Sequence, residues 1–289
     1  VKIVGGGMHK IVGTDPIESM NAAANIFVGQ TEAPLVVKPY LKNLSEAQIF
    51  TVMVSGVASI AGTVLAGYVL MGVELKYLLA ASLMAAPGGL LMAKIIMPDE
   101  DVLKNSFDKK IIIESSRHKN IILAAASGTS DGLRLAATIG AMLIAFVALI
   151  ALFNGVIGGI FNVFGIEGIT LQFLLGKLFQ PVMYLLSIPW VEAEAAGALF
   201  GEKIILNEFV AFSHLNEYLD GMSPRTIAIT TFSLCGFANL SSIAVLLGGL
   251  GVLVPEKRDL IGRFGVKAVL AGSLSNLMSA ALAGLMLTF

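Results

Sequence analysis

The sequence is poor in charged residues, cysteine and histidine. Of its 289 residues, 13% are Asp, Glu, Lys or Arg, whereas a soluble domain has about 25%. The one cysteine, Cys235, excludes an internal disulfide framework and a thiolate zinc cage. The three histidines, His9, His118 and His214, are far apart in the sequence, which argues against a histidine metal cluster. The formal net charge of −1 and the lack of a basic stripe argue against a nucleic-acid partner.

Catalytic signatures are absent as well. The sequence has no GxSxG, HExxH or GxxxxGK[ST] pattern, so it gives no support for a hydrolytic triad, a zincin or a phosphate-binding loop. The glycine run 5-GGG-7 precedes no strand–helix unit and is a weak signal for nucleotide binding. We therefore expect a protein that is not an enzyme and has no catalytic residues.

Long apolar runs dominate what is present. Hydrophobic residues make up 56% of the sequence and the mean hydropathy is +0.85, which predicts a multi-pass protein of a cell membrane, the inner membrane in a bacterium. The lipid bilayer is therefore an expected partner, and the expected fold class is an all-α membrane protein. A spanning helix needs about 20 mainly apolar residues. Five segments have that length: 50–72, 77–97, 135–164, 226–254 and 265–288.

Two further apolar segments are interrupted near their middle. Segment 15–45 is broken by 31-TEAP-34, and segment 189–221 is broken by 203-KIILNE-208. Apolar arms of about 10 to 14 residues are typical of a re-entrant hairpin rather than of a full span. We therefore predict two helical hairpins, each of which enters the bilayer and leaves it on the same side.

The densest charge lies between the second and third predicted spans. Segment 98–127 is typical of a solvated loop followed by an interfacial amphipathic helix. By the positive-inside rule its basic residues place it in the cytoplasm. If neither hairpin crosses the membrane, counting the spans from this loop also leaves the basic loops on the cytoplasmic side. Those basic residues are Lys104, Lys109, Lys110, Arg117 and Lys119.

The order hairpin, broken span, span occurs twice. The stretches 31-TEAPLVVKPYL-41 and 207-NEFVAFSHLNE-217 each place a glutamate at a hairpin tip, and 55-SGVASIAGTV-64 and 235-CGFANLSSIA-244 open the following spans with related residues. The single span 135–164 between the two units puts the hairpins on opposite faces, which makes an inverted-topology repeat. Such repeats place substrate and ion sites near the membrane midplane, where broken helices leave backbone groups free.

Glu32 and Glu208 occupy equivalent hairpin tips. An ionised glutamate is costly in hydrocarbon, so each must face a partner, water or a cavity. Each could cap a neighbouring helix N-terminus. Their symmetric positions beside Gln30, Thr31 and Asn207 favour binding of a polar ligand instead.

Polar residues also flank the predicted helix breaks. Hydroxyl and amide oxygens together with unwound carbonyls suit a hard cation such as Na+. Phe237 could be a packing aromatic or could stack on a planar ligand, and Gln30 could read the edge of a heterocycle. The polar residues are Asn25 and Ser59 at the first break and Asn239, Ser241 and Ser242 at the second.

Four motifs resemble the concentrative nucleoside transporter family of sodium-coupled nucleoside symporters closely. They are 29-GQTEAPL-35, 55-SGVASIAGTVLAGY-68, 207-NEFVAF-212 and 235-CGFANLSSIA-244, and the likeness runs from about Val1 to Phe289. The resemblance implies an elevator-type homotrimer in which the span 135–164 is the central contact helix. The family's usual N-terminal scaffold helices are lacking here, and the chain opens at Val1 without a methionine, so we expect an upstream part to be missing.

The resemblance also implies where a nucleoside such as uridine and one co-transported Na+ would bind. The nucleoside would lie between the hairpin tips and the two broken spans. Its base would contact Gln30, Thr31 and Glu32, with Val64 lining the pocket. Its ribose hydroxyls would be held by Glu208, Asn239 and Ser242, with Phe237 close to the sugar. The Na+ would be held by Asn25, the carbonyl of Val28, Ser59 and the carbonyl of Ile60.

The expected organisation follows these assignments. It comprises an interfacial helix (1–14), a first transport-core repeat (15–97), a cytoplasmic loop with an interfacial helix (98–134), a long scaffold and trimerisation span (135–164), an extracellular-side interfacial segment (165–188) and a second transport-core repeat (189–289).

Several functions are compatible with these features. The primary prediction is nucleoside import coupled to the Na+ gradient by an elevator mechanism. If Glu32 takes up a proton in place of the ion, the protein is an H+-coupled symporter. A membrane-embedded hydrolase that uses Glu32 and Glu208 would need a nucleophile motif that the sequence lacks, and a passive channel would give flux without accumulation.

Overall fold

The protein is described by a computed structural model of residues 2–99 and 120–287, and every regular element in these ranges is helical. The predicted basic loop, with His118, lies largely outside the described residues. The α-helices are α1 (Lys2–Val12), α2 (Pro16–Asn25), α3 (Lys38–Leu41), α4 (Glu46–Ala58), α5 (Leu65–Leu70), α6 (Leu75–Ile96), α7 (Ile121–Val163), α8 (Leu171–Leu185), α9 (Trp190–Ile205), α10 (Glu208–Tyr218), α11 (Pro224–Leu234), α12 (Ser241–Gly248), α13 (Leu250–Leu253) and α14 (Arg258–Met286). Short 3-10 helices lie at Ala33–Val37, Gly62–Val64, Leu219–Gly221 and Pro255–Lys257.

Capping residues bound the first predicted hairpin, 15–45. Asp15 starts α2 because its Oδ1 accepts a hydrogen bond from the Ile17 amide at 2.8 Å. Ser45 starts α4 in the same way, through a 3.2 Å bond from the Gln48 amide to its hydroxyl. Satisfying the free amides of a first helical turn is what fixes where a helix begins. The boundaries read from the sequence therefore fall on the two caps.

Three helical segments of the described residues are long and apolar enough to cross a membrane: Glu46–Leu70, Leu75–Ile96 and Pro255–Met286. A fourth exists if α8 and α9, bent by 118°, count as one span. The predicted broken span 226–254 is interrupted in the structure, because α11 ends at Leu234 and α12 begins at Ser241. This interruption is the break that the internal repeat predicted.

The long helix α7 belongs to a compact unit of its own, which among the described residues covers 120–174. It contains 43 residues and includes the predicted span 135–164. The predicted boundary at 134 is absent, since α7 already starts at Ile121 behind the cap Asn120. Within this unit, the Asn154 side chain accepts a hydrogen bond from the Leu171 amide at 2.7 Å.

The other compact unit contains both repeats. Its centre is formed by α4, α6, α11 and α14, which pack against one another, and its order of elements repeats as two short packed arms, a broken helix and a long helix. In the first copy α2 packs against the 3-10 segment at Ala33–Val37, and in the second α9 packs against α10. Tyr68 and Phe212 join the two copies in the apolar core, with ring centroids 4.8 Å apart.

Candidate functional site

The end of α2 carries two asparagines whose amide nitrogens share one acceptor. Asn21 and Asn25 are one helical turn apart, and both donate to the Ser55 hydroxyl, at 2.7 and 3.2 Å. Both side chains are fully buried, and their Oδ1 atoms have no hydrogen-bond partner among the described residues. A buried acceptor without a donor costs about 1–3 kcal/mol. The Asn25 oxygen therefore fits a cation ligand.

The other predicted ion ligands lie where α2 and α4 end. Ser59 and Ile60 follow α4 directly and are buried, and Val28 follows α2. The two chain segments approach closely, because a Cβ added to Gly62 would lie 3.0 Å from the Phe27 carbonyl oxygen. The structure thus brings together the two chain segments that carry the predicted Na+ ligands.

Gln30 reaches from the first hairpin to the second helix break. Its Nε2 lies 3.4 Å from the Ser242 hydroxyl, while its Oε1 is buried and has no partner in the described part of the chain. Space for it comes from Gly56, where an added Cβ would lie 3.0 Å from the Gln30 Cβ. Gln30 therefore presents a free acceptor in a closely packed position.

Glu32 has a different environment from Glu208. Its side chain is exposed, its Oε2 folds back over Gly29, and it makes no capping bond to the 3-10 helix that follows it. Thr31 lies beside it with its methyl group against Gly249, and Val64 packs on the edge of the apolar core. Helix capping therefore does not account for the charge of Glu32.

Glu208 is buried at the first position of α10. Its carboxylate accepts from the Tyr68 hydroxyl at 3.0 Å and from the side-chain Nδ2 of Asn239 at 3.3 Å. The helix is capped by Asn207 instead, whose side chain accepts from the Val210 amide at 2.9 Å. A carboxylate at a helix N-terminus is stabilised by the helix dipole. Glu208 is therefore held in place without being the cap itself.

The break after α11 arranges the remaining predicted residues. The Asn239 Oδ1 accepts from the Ser242 amide at 2.9 Å and from the Ser241 hydroxyl at 2.7 Å. The Ser242 hydroxyl donates to the Phe237 carbonyl oxygen. Phe237 is partly buried against the apolar core, and its amide donates to the Ser59 carbonyl oxygen at 3.1 Å. Side-chain and backbone bonds thus replace the helix hydrogen bonds that the break removes.

These contacts form one polar chain from the first hairpin to the second. It runs from Gln30 through Ser242 and Asn239 to Glu208 and ends at Tyr68. The structure therefore brings Gln30, Glu208, Asn239 and Ser242 together. Hydrogen bonds do not link Thr31, Glu32 or Val64 to this chain among the residues described, although Thr31 and Glu32 follow Gln30 directly.

Three residues near the site, Tyr68, Lys203 and Asn276, were not assigned a role from the sequence. Tyr68 binds Glu208, and Lys203 and Asn276 bond to each other at 2.7 Å in the buried interior. A lysine inside the apolar arm of a hairpin and an asparagine inside the last span were the available signals. In the described residues no group of three or more His, Cys, Asp or Glu side chains could hold a metal ion.

Comparison with known proteins gives consistent matches along the chain. The sequence model of the Na+-dependent nucleoside transporter C-terminus matches residues 77–284, and one described as nucleoside recognition matches residues 1–74. The nucleoside permease NupC of Helicobacter pylori is 53% identical over 99% of this chain and 68% of its own length. Sodium/nucleoside cotransporter 1 of Oryctolagus cuniculus is 36% identical over 94% of this chain and 44% of its own.

A solved structure extends the match to three dimensions. The structure of CNTnw in an inward-facing substrate-bound state is 53% identical, covers 98% of this chain and 68% of its own, and superposes with a TM-score of 0.91. Variants of CNTnw have also been solved in outward-facing and intermediate states.

Proposed function

The chain belongs to the family of Na+-dependent nucleoside transporters, and from that premise we propose that it imports nucleosides across a cell membrane, coupled to the Na+ gradient, by an elevator mechanism. Its relatives are named permeases and cotransporters, so the protein is a membrane transporter and not an enzyme. Nucleosides are its substrate class, and uridine is the substrate we propose to test.

The polar chain from Gln30 to Glu208 carries the proposal for the substrate site. A nucleoside has hydroxyl donors on its sugar and both donors and acceptors on its base. The buried carboxylate of Glu208 would accept from ribose hydroxyls in charge-assisted hydrogen bonds, which are strong in a dry site. Asn239 and Ser242 lie beside it, and the unpaired Gln30 oxygen would accept from the base. Thr31, Glu32, Val64 and Phe237 would complete the pocket.

The proposed Na+ site is supported by the unpaired Oδ1 of Asn25. Together with Ser59 and the carbonyl oxygens of Val28 and Ile60, this atom would bind Na+ as co-transported cargo. The ion would also lower the electrostatic cost of Glu32, which is the next charged residue along the chain. Inward movement of Na+ supplies about 2.3 kcal/mol per 100 mV of membrane potential, which would drive uptake against a gradient.

The elevator and trimer proposals rest on the two compact units and on the comparisons. Residues 2–99 and 175–287 would form the moving transport core, in which both hairpins re-enter the membrane, and α7 would belong to the fixed scaffold. Exposed apolar residues on α7, such as Ile144 and Leu152 at 76% and 61% exposure, support its role as the central contact helix of a homotrimer. The inward-facing and outward-facing states of CNTnw support a transport core that alternates between the two sides of the membrane.

A second candidate is an H+-coupled nucleoside symporter. It is favoured by the exposed carboxylate of Glu32, which makes no hydrogen bond or ion pair in the described part of the chain. Protonation of Glu32 would then replace Na+ binding as the event that prepares the hairpin tip for nucleoside binding.

Uptake of radiolabelled uridine into proteoliposomes tests these functions side by side. Under the proposal, accumulation requires an inward Na+ gradient and persists when the pH gradient is collapsed. Accumulation that needs the pH gradient but not Na+ would favour proton coupling. Equilibration without accumulation would indicate a channel, and cleavage of uridine in detergent without any gradient would indicate a hydrolase.

A further inference from the structure

The helices α4 and α11 end against each other in the protein interior. The last carbonyl groups of a helix have no partner within it and carry the negative end of the helix dipole. A Cβ added to Gly236 would lie 2.6 Å from the Ala58 carbonyl oxygen, so this close approach requires glycine. The Phe237 amide also donates to the Ser59 carbonyl oxygen at 3.1 Å. The two helix breaks are therefore in direct backbone contact.

One asparagine bridges the carbonyl groups of both breaks. The Nδ2 of Asn276, on α14, donates to the Ala58 carbonyl oxygen at 2.7 Å and to the Cys235 carbonyl oxygen at 2.8 Å. Its Oδ1 accepts from the Lys203 ammonium at 2.7 Å. The amide thus has no free hydrogen-bonding position on its nitrogen, and its orientation is fixed by the lysine.

Lys203 adds a positive charge to the same junction. Its side chain is fully buried, and its ammonium donates a second bond, of 2.9 Å, to the Ser233 carbonyl oxygen near the end of α11. A buried cation is tolerated only where negative groups compensate it. Here the compensating groups are the Ser233 carbonyl oxygen near the end of α11 and the Asn276 amide oxygen, to both of which the ammonium donates.

We propose that Lys203 and Asn276 are positioning residues that couple Na+ binding to nucleoside binding by locking the two helix breaks together. The inference rests on the proposed function, which places Na+ at Ser59 and the nucleoside at Phe237 and Asn239. Ser59 follows Ala58 and Phe237 is two residues beyond Cys235, so the bridge lies next to both sites. With the bridge intact, a shift at one break moves the other, and each ligand favours binding of the second.

The test is the ratio of uridine dissociation constants measured without and with saturating Na+. Coupling between sites is typically about 5- to 150-fold, and we expect the unmodified protein to fall in that range. Asn276→Leu removes all three hydrogen bonds of the amide, and its ratio should fall towards one. Lys203→Met should act similarly, whereas Lys203→Arg keeps a cationic donor and should retain most of the coupling.

Ser279→Ala is the matched control. Ser279 is buried on the same helix, but its hydroxyl donates only within the helix, to the Ser275 carbonyl oxygen at 3.1 Å. The ratio of uridine dissociation constants without and with Na+ should be the same for Ser279→Ala as for the unmodified protein, even if the variant is less thermally stable. Asn276→Ser, whose hydroxyl is too short to bridge the two carbonyl groups, repeats the test with a smaller change if the leucine variant fails to fold.

The outcomes separate this inference from the proposed function. A folded Asn276→Leu or Asn276→Ser variant with an unchanged ratio would overturn the coupling role. If the combined Lys203→Met and Asn276→Leu variant loses no more coupling than either alone, the two residues act as one unit; additive losses would contradict this. Uridine affinity that is independent of Na+ in the unmodified protein would refute Na+ coupling itself.

Discussion

Glu208→Gln is the most direct perturbation of the proposed substrate site. The change keeps the size of the side chain but replaces a carboxylate oxygen, which only accepts, by an amide nitrogen, which only donates. Two side chains donate to the carboxylate, the Tyr68 hydroxyl at 3.0 Å and the Nδ2 of Asn239 at 3.3 Å. The Asn239 side-chain nitrogen only donates, whereas the Tyr68 hydroxyl can also accept, so the variant keeps both contacts only with its amide nitrogen towards Tyr68 and its oxygen towards Asn239.

The two consequences of this change appear in different measurements. Before substrate binds, the Tyr68 hydroxyl must reverse its role and both hydrogen bonds lose their charged acceptor, so stability falls by about 1 kcal/mol. Affinity falls because a ribose hydroxyl loses a hydrogen bond to a charged acceptor, worth about 1.5–3 kcal/mol. That loss corresponds to an increase in Kd of about 10- to 150-fold.

Isothermal titration of uridine into the purified variant at saturating Na+ measures the affinity, and thermal unfolding in detergent measures the stability. Glu202→Gln is the control, since Glu202 is a similarly buried carboxylate on α9 that pairs with His214 at 3.0 Å. Its Kd should stay within about threefold of the unmodified value. A folded Glu208→Gln protein with near-normal uridine affinity would refute the assignment of this residue.

Two further predictions concern the ion site and the stability of the first hairpin. Asn25→Ala should raise the Na+ concentration for half-maximal uridine uptake by about tenfold, equivalent to about 1.4 kcal/mol; unchanged Na+ dependence would exclude its oxygen as a ligand. Lys94→Met leaves the fully buried Glu18 without its 2.5 Å ion pair and should destabilise the protein by about 3–5 kcal/mol in thermal unfolding. Lys76→Met is the comparison, because its pair with Glu74 is exposed and screened by solvent, so its loss should change the stability far less; equal losses in both variants would contradict the reasoning.

Hydropathy and short-range patterns predicted much of the architecture. The hairpin boundary at 15–45 coincides with the caps Asp15 and Ser45, because capping depends on residues within one helical turn. The break in 226–254 was expected from glycine and polar residues inside an apolar run. The start of α7 was misplaced because the charged segment 98–127 was interpreted as a solvated loop followed by a separate interfacial helix, whereas α7 already begins at Ile121.

The site was predictable in part. Repeated motifs indicated both glutamates, but the same signal could not distinguish their surroundings. Glu32 is exposed and Glu208 is buried between Tyr68 and Asn239, and those two partners lie 140 and 31 residues away in the sequence. Contacts at such separations depend on how the helices pack, which local patterns do not encode.

The sequence by itself determined that the chain is an all-α membrane protein, where its helices break and which polar residues flank the breaks, because burial in lipid penalises each unpaired polar group. Only the tertiary structure decided which groups meet. It placed Lys203 and Asn276, 73 residues apart, at the ends of two other helices, and it connected Gln30 to Ser242 across 212 residues. The physical reason is that free carbonyl groups at a helix break can be satisfied by any donor of suitable geometry, and packing alone selects the donor.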